Sequence, residues 1–358
     1  LNKNRLSRLR KLLRSLKIGQ NLLVSNLINI HYLSGFTGSN GYLIITPRHQ
    51  ELLTDFRYWE QAEEEAPDWT LIKANQSLIA ELTFRIKKNR ITTLVLEADT
   101  VTIALERLLK TRLPNVRMKP SMGMVEQLRM IKDAKEIEKV KKACSVADKA
   151  LEEVSAVIKP GLREKDVANI IIQAIRNAGG EKESFDPIVA SGPKGARPHA
   201  LASERRLKTG EPVVVDFGAK VEGYCSDMTR TFHIGRPSNR FIKLYDIVLQ
   251  AQQESIKAIK PGISCREIDT VARRIIGQAG YGNQFGHNLG HGVGLAVHEA
   301  PSFAPGNETR LAPGMILSVE PGIYIEEWGG IRIEDLIVVT EDGCEVLTQT
   351  DRTPRQLG

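Results

Sequence analysis

The sequence predicts an α+β protein in two parts, a smaller α/β domain followed by a larger domain built from two similar halves. Three observations support this prediction. Residues 22–124 alternate short strand-like and helix-like segments, a long amphipathic helix follows at roughly 133–157, and the rest of the chain repeats itself. With 358 residues, the chain is long enough for two domains of ordinary size.

The first 50 residues carry the positive charge of the chain. They contain eight Lys or Arg and no Asp or Glu. Since the net charge of the whole chain is +7, the other residues together carry a net charge of −1. The segment 3–17 combines these bases with a leucine face, and nucleic acid, an anionic membrane or an import receptor are alternative partners for it. We expect instead a first helix that packs its leucines on a domain and leaves its bases in water. Nucleic acid is not an expected partner, because nothing else in the sequence supports nucleic-acid binding.

Composition also narrows the cellular setting. No apolar run approaches the roughly 18 residues of a membrane-spanning helix, and we expect no signal peptide because Lys and Arg interrupt the first apolar stretch. The four cysteines form no C-x-x-C pair, so zinc-thiolate and thioredoxin-like sites lack support. We therefore expect a cytoplasmic protein that does not act at a membrane.

The first domain is predicted to span residues 1–124 and the second residues 125–358. Pro114 and Pro120 punctuate the end of the first domain, and the long helix then opens the second. The predicted elements of the first domain are strands at 22–25, 42–46, 51–54 and 93–96 and helices near 57–66, 76–89 and 101–111.

The second domain contains an internal duplication. Ile158–Gly161, with the sequence IKPG, recurs as Ile259–Gly262, and the match continues through an amphipathic helix to an Ala-Gly pair. Further on, Gly210–Gly218 parallels Gly314–Gly322. A repeat of about 100 residues is much longer than a solenoid unit, so it predicts two α+β halves related by a pseudo-two-fold axis.

Two carboxylates fall in a predicted hairpin of the first half. Asp216 ends a β-branched run, and a polar turn leads into a returning strand, 226–232, that contains Asp227. Neighbouring strands would place the two side chains beside each other.

The second half repeats this arrangement with Glu320 at a strand end and Glu334 in the returning strand 330–339. Each carboxylate taken singly also fits an ordinary turn or strand end. Their recurrence in both halves is better explained by a site, and two divalent cations would neutralise four carboxylates that are otherwise costly to bury together.

An imidazole ligand is expected from a glycine-rich stretch. His287, His291 and His298 lie within 12 residues of one another, among several glycines that argue against a buried helix. Oxygen-rich ligation with one imidazole favours Mn, Co, Zn or Fe.

These motifs resemble the proline-specific metallopeptidases of the pita-bread fold, aminopeptidase P and prolidase. The resemblance spans nearly the whole chain, and the first domain is similar to the creatinase-like N-terminal domain of that family. It rests on the following segments: VDFG (215–218), SDMTR (226–230), GHGVG (290–294), VHE (297–299), SVEPGIY (318–324) and IRIED (331–335).

The resemblance implies a set of site residues. The metal ligands would be Asp216, Asp227, His291, Glu320 and Glu334, with Asp227 and Glu334 bridging two ions. Glu320 would also act as the catalytic base. The remaining implied residues contact substrate or brace the ligands: His199 and His298 near the reacting carbonyl, His287 at the proline pocket, and Arg332 and Tyr324 close by.

The implied function is that of a metal-dependent Xaa-Pro aminopeptidase, which hydrolyses the bond before a proline at the second position with a water activated by two metal ions. Manganese is the expected metal, with cobalt or zinc as alternatives, and a homodimer is expected. A dipeptidase acting on Xaa-Pro alone remains open, as does a non-enzymatic binding module that retains a peptidase fold.

Overall fold

The computed structural model describes residues 2–357, without the side chains of residues 2, 3 and 355. It divides into two compact units, Leu1–Arg129 and Met130–Gly358. The division falls a few residues beyond the predicted boundary at 124, after a short helix that belongs to the first unit. In the described part of the chain, no helix has both the length and the apolar character needed to cross a membrane.

The first unit is a six-stranded mixed sheet with helices. Its sheet order is β4-β3-β2-β1-β5-β6, with β1, β2 and β3 antiparallel and the outer pairs parallel. The strands are Leu22–Val24 (β1), Tyr42–Ile45 (β2), Gln50–Asp55 (β3), Thr70–Ala74 (β4), Thr93–Glu97 (β5) and Arg117–Ser121 (β6). The helices are Asn2–Leu16 (α1), Leu27–Ser34 (α2), Trp59–Glu65 (α3), Leu78–Lys88 (α4), Ile103–Arg112 (α5) and Met124–Arg129 (α6).

The basic N-terminal segment folds as the helix α1 of this unit. Its inward residues Leu6, Leu9 and Leu13 are 3%, 0% and 1% exposed. Arg5 donates to the carbonyl oxygen of Tyr32 at 2.7 Å, which ties the helix to α2. The expectation that these leucines pack on a domain is therefore confirmed, and the structure shows that it is the first one.

The second unit contains four long helices and several small sheets. The helices are Ala134–Ser155 (α7), Glu164–Asn177 (α8), Asn239–Ala258 (α9) and Cys265–Gln278 (α10). The strands of the first half are Lys182–Glu183 (β7), Ile188–Ser191 (β8), Pro212–Phe217 (β9), Ala219–Val221 (β10), Tyr224–Cys225 (β11) and Met228–Ile234 (β12). Those that follow are Gly290–Gly292 (β13), Glu299–Phe303 (β14), Ile316–Val319 (β15), Gly322–Ile325 (β16), Gly329–Arg332 (β17), Asp335–Val339 (β18), Cys344–Val346 (β19) and Arg355–Leu357 (β20).

The duplication seen in the sequence is repeated in the structure. Antiparallel pairing joins β9 to β12 in one half and β15 to β18 in the other. The two IKPG turns are held alike: Arg206 Nη1 donates to the Gly161 carbonyl oxygen and Arg310 Nη1 donates to that of Gly262, both at 2.7 Å. This architecture, a smaller α/β domain followed in the chain by a domain of two α+β halves, confirms the predicted pita-bread fold.

Two details of the predicted hairpins are wrong. Asp227 and Glu334 do not lie within returning strands; each directly precedes one, β12 and β18. The chain changes pairing partner at these points, since β11 pairs with β10 and β12 with β9, whereas β17 pairs with β16 and β18 with β15. Both carboxylates therefore lie where the backbone hydrogen bonding between neighbouring strands is interrupted.

Candidate active site

A cavity of about 470 Å³ lies in the second unit where the strand ends of the two halves meet. Nine of the ten residues predicted from the sequence contribute to its wall. They are His199, Asp216, Asp227, His287, His291, His298, Glu320, Arg332 and Glu334. The tenth, Tyr324, contacts two of these residues: its hydroxyl lies 2.9 Å from His287 Nε2 and accepts from Arg332 Nη1 at 2.8 Å.

An imidazole and the carboxylates converge within this cavity. His291 Nε2 lies 3.5 Å from Asp227 Oδ2 and 3.4 Å from Glu320 Oε1. Ligand atoms of Asp227, His291 and Glu334 all lie within 4.8 Å of one another. The other nitrogen of His291 is 3.1 Å from the carbonyl oxygen of Gly292. Since a carbonyl only accepts, Nδ1 carries the proton and the Nε2 lone pair faces the carboxylates.

The donor set fits a divalent metal. Asp216 Oδ1 and Glu334 Oε1 are buried and have no hydrogen-bond partner among the described residues. A buried polar atom without a partner is costly, and a carboxylate oxygen is only an acceptor, so a bound cation would satisfy both atoms. Carboxylates with one neutral imidazole are the ligand chemistry of Mn, Co and Zn rather than of thiolate-selected metals.

Burial governs the protonation of the carboxylates in the absence of a cation. It raises the pKa of Asp227 and of Glu334 well above the ordinary range, and repulsion from neighbouring carboxylates adds to both effects. Burial also raises the pKa of Glu320 to about 7. Without a bound cation, some of these carboxylates are therefore protonated at neutral pH. A bound cation would favour their charged form, so the raised pKa values fit a cation-binding site.

Hydrogen bonds from behind orient the carboxylates. Arg332 Nη2 donates to Asp216 Oδ2, and Arg332 Nε donates to Thr229 Oγ1 at 3.0 Å. The Thr229 hydroxyl in turn donates to Glu334 Oε2 at 2.7 Å. Such supporting contacts set the direction of ligand lone pairs.

Ser318 holds Glu320 and His291 in a similar way. Its hydroxyl donates to Glu320 Oε1 at 3.1 Å and accepts from the His291 backbone N–H at 3.0 Å. Sequence reasoning missed both Thr229 and Ser318. The available signal was the two-residue period of a strand, since Thr229 lies two residues after Asp227 and Ser318 two before Glu320.

Three histidines of this cavity, His287, His291 and His298, favour their neutral form. Burial lowers the pKa of His287 to about 4 and lowers that of His291 and of His298. The ring of His298 lies 4.3 Å from that of His291, centroid to centroid, and faces the cavity. His199 enters the wall from the opposite half of the repeat.

Sequence reasoning also missed the apolar part of the wall. It consists of side chains from the strand β8, from the segment before it, and from the two histidine-bearing loops: Phe185, Ile188, Leu201 and Val297. Isolated apolar residues of this kind give no pattern in a sequence, because each lies in a different loop or strand end.

Comparisons with known proteins identify the family of this chain. Residues 138–341 match metallopeptidase family M24, and residues 5–131 match the creatinase/prolidase N-terminal domain. The chain is 38% identical to an Xaa-Pro dipeptidase from Pyrococcus furiosus over 98% of its own length and 99% of that protein.

Solved structures give the same result. The Xaa-Pro dipeptidase from Bacillus anthracis superposes with a TM-score of 0.97 at 40% identity, covering 100% of both chains. The X-Pro aminopeptidase from Thermotoga maritima has a TM-score of 0.89 at 37% identity and covers 96% of this chain and 99% of its own. The chain therefore belongs to metallopeptidase family M24 and is an enzyme, a metal-dependent hydrolase of the pita-bread fold.

Proposed function

We propose that this enzyme is an Xaa-Pro dipeptidase, which hydrolyses the bond between an N-terminal residue and a C-terminal proline. The observation that carries the proposal is the cluster of the buried Asp227 and Glu334 with the half-buried His291, in a chain that Xaa-Pro dipeptidases match over nearly its full length. The sequence analysis favours an Xaa-Pro aminopeptidase and leaves the dipeptidase as the alternative. The relatives support it better than the aminopeptidase we expected, although the Thermotoga maritima aminopeptidase is also similar.

The ions are proposed to be held by Asp216, Asp227, His291, Glu320 and Glu334. Two divalent cations are proposed, manganese first and cobalt or zinc as alternatives. When bound, they supply Lewis acidity and lower the pKa of water toward neutrality. The unpartnered oxygens of Asp216 and Glu334 support this assignment.

Glu320 is proposed to accept the proton of the attacking water. Its carboxylate lines the cavity, and Oε1 lies 3.4 Å from His291 Nε2, so it stands beside the position proposed for the ions and their water. His298 and His199 are proposed to donate hydrogen bonds to the oxygen that becomes negative in the transition state, because both line the same cavity.

His287 is proposed to contact the substrate proline through its ring. Its Nδ1 lies 2.7 Å from the carbonyl oxygen of Asn288, and its Nε2 lies 2.9 Å from the Tyr324 hydroxyl. Both ring nitrogens are thus engaged, which leaves the ring surface for an apolar contact. A proline ring suits such a surface, and the X-Pro bond has no amide N–H that would need an acceptor.

The test is hydrolysis of Ala-Pro and of Ala-Pro-Ala by metal-stripped protein to which Mn(II), Co(II) or Zn(II) is restored. We expect metal-dependent cleavage of Ala-Pro and little cleavage of Ala-Pro-Ala. Efficient cleavage of the tripeptide would instead establish the aminopeptidase.

Two variants control the assignment of the site. Asp227→Asn should abolish metal binding and activity together, whereas Asp246→Asn, an exposed residue on α9, should change neither. Full activity of Asp227→Asn would remove the proposed metal centre. A homodimer and a cytoplasmic location stay predictions; sedimentation of the purified protein would check the first.

A further inference from the structure

One buried lysine of the second unit is not used in the chemistry proposed above. Lys132 lies two residues before α7, and its side chain is 1% exposed. Its Nζ lies 3.2 Å from Oε2 of Glu299, whose side chain is 5% exposed. Removing one partner of a buried ion pair leaves the other charge without compensation, at a large cost in stability. The position of the Glu299 carboxylate therefore depends on the Lys132 ammonium.

The Glu299 carboxylate holds the loop 293–298, which joins β13 to β14. Its Oε1 accepts a hydrogen bond from the Ala296 backbone N–H at 3.0 Å. A Cβ on Gly294 would lie 2.7 Å from Oε2, closer than real Cβ atoms approach, so the carboxylate lies directly against the loop backbone. The loop is thus folded around the side chain of the residue that follows it.

This loop ends at His298, the residue directly before Glu299. The His298 ring lines the metal cavity, and its centroid lies 4.3 Å from that of the His291 ring. Unlike His287 and His291, His298 makes no hydrogen bond from its ring to another described residue. The orientation of the His298 ring therefore depends on the backbone of the loop, and hence on the contacts of Glu299.

Backbone hydrogen bonds fix both the loop and the lysine within the second unit. The Gly294 carbonyl oxygen accepts from the Cys225 N–H at 2.8 Å. The Lys132 N–H donates to the carbonyl oxygen of Gly314, two residues before β15, at 2.9 Å. The strand β15 pairs with β13, which carries His291. The backbone of Lys132 is thus attached to the same sheet as His291, so its ammonium provides a fixed point from which the ion pair can hold the loop.

We propose that Lys132 is a positioning residue, whose buried ion pair with Glu299 holds the His298 ring where it donates to the reacting carbonyl oxygen. Lys132 is not one of the residues that line the metal cavity, so it acts without touching substrate. This inference rests on the proposed role of His298 and names what keeps that histidine in place. A misplacement of about 1 Å caused by a change away from the reacting atoms can lower the rate about 10²-fold.

The first experiment replaces Lys132 by methionine, which keeps the length of the side chain but removes its charge. For whichever of Ala-Pro and Ala-Pro-Ala the wild type cleaves, Lys132→Met should lower kcat by about 10- to 100-fold, because the loop no longer holds His298. KM and metal content should keep their wild-type values. Lys132→Arg, which retains the positive charge, should recover part of kcat. Lys135→Met, the same change at an exposed lysine of α7, should leave kcat unchanged.

A double-mutant cycle tests whether Lys132 acts through His298. If it does, Lys132→Met should lower kcat no further in a protein that already carries His298→Ala. Losses that multiply in the combined variant would overturn the inference, because they would show that Lys132 acts elsewhere. Wild-type kcat in Lys132→Met, loss of its metal, or a raised KM with unchanged kcat would overturn it as well.

A neutral pair takes the place of Lys132→Met if that variant does not fold. Lys132→Met combined with Glu299→Gln leaves no buried charge unpaired, and uncharged replacements of buried ion pairs are often tolerated. Since a methionine side chain donates no hydrogen bond to residue 299, the loop again loses its anchor. We expect kcat to fall without loss of metal, and wild-type kcat in this double variant would contradict the role of the ion pair.

A measurement without turnover separates this inference from the proposed function. In metal-stripped protein, the imidazole NMR signals of His298 are identified by their absence from His298→Ala. They should shift in Lys132→Met and stay unchanged in Lys135→Met. Cleavage of Ala-Pro-Ala in place of Ala-Pro defeats the dipeptidase proposal alone, and cleavage of neither peptide defeats the proposed function. The NMR signals then decide the inference: a shift in Lys132→Met supports it, and unchanged signals overturn it.

Discussion

Thr229 and Glu334 are joined twice across the two halves of the repeat. The Thr229 hydroxyl donates to Glu334 Oε2 at 2.7 Å, and the Glu334 backbone N–H donates to the Thr229 carbonyl oxygen at 3.1 Å. The first hydrogen bond orients the Glu334 carboxylate, and the second positions the Glu334 backbone. Glu334 Oε1 is left facing the cavity without a partner among the described residues.

Replacing Thr229 by valine should weaken metal binding while the fold persists. Valine keeps the shape of the side chain but removes the hydroxyl that orients Glu334. Loss of such a contact lowers metal affinity or activity by roughly 10- to 100-fold. Titration of metal-stripped protein with Mn(II) measures the affinity. Thr270→Val, on the outer face of α10, is the matched control; equal affinities for the two variants would contradict the role of Thr229.

Changing His298 to alanine should reduce turnover far more than metal content. The ring faces the cavity beside His291, and a hydrogen-bond donor to a developing oxyanion contributes about 10²–10³ in rate. We expect kcat to fall by that order while atomic absorption finds the wild-type metal content. Loss of metal from His298→Ala would show that this histidine serves the metal centre instead.

The stability of the metal-stripped protein should depend on pH through Glu320. Burial raises its pKa from the ordinary 4.5 to about 7. Between these values the folded protein binds more protons than the unfolded chain, so stability falls as pH rises through this window and levels off above it. This contribution is lost between pH 5 and pH 8, and the raised pKa values of Asp227 and Glu334 act in the same direction in any variant that keeps those residues.

Denaturation of wild type and Glu320→Gln at both pH values isolates this contribution. Glutamine does not titrate, so the wild type should lose more stability than the variant on going from pH 5 to pH 8. The histidines with lowered pKa act in the opposite direction, losing stability in acid, but they are present in both proteins and largely cancel. An identical pH dependence of the free energy of unfolding in the two proteins would contradict the prediction.

Glu164→Gln should lower catalytic efficiency without touching the substrate directly. An amide cannot accept hydrogen bonds from Ser191, Lys194 and Ser203 at once. The segment 191–203, which carries His199, should therefore become less well ordered. We expect kcat/KM for Ala-Pro to fall about tenfold with metal content unchanged, the scale of one or two lost hydrogen bonds to a charged group.

Glu204→Gln is the control for this prediction. Glu204 directly follows Ser203 but is exposed and pairs only with Lys165 and Arg163 among the described side chains. It should retain wild-type kcat/KM. A similar loss in both variants would mean that general weakening of the segment, rather than the buried carboxylate, explains the result.

Parts of the fold were predictable wherever periodicity is strong. The helix α7 and the inner strands of the first sheet lie close to their predicted positions. The strands β4 and β6 were missed because they are the two edges of that sheet. Edge strands bury little and tolerate charge and proline, as Lys119 and Pro120 of β6 show, so they lack the apolar pattern of a central strand.

The sequence by itself determined the repeated halves, the convergence of four carboxylates and a histidine, and through them the family. These follow from residue identities at matched positions, which duplication preserves. Only the tertiary structure decided that Asp227 and Glu334 lie at breaks in the strand pairing and that Thr229 and Ser318 orient Glu334 and Glu320. It also decided that Asp216 Oδ1 and Glu334 Oε1 have no partner among the described residues. Those properties depend on which distant groups meet in space and which charges are already paired, and no local pattern of residues records either.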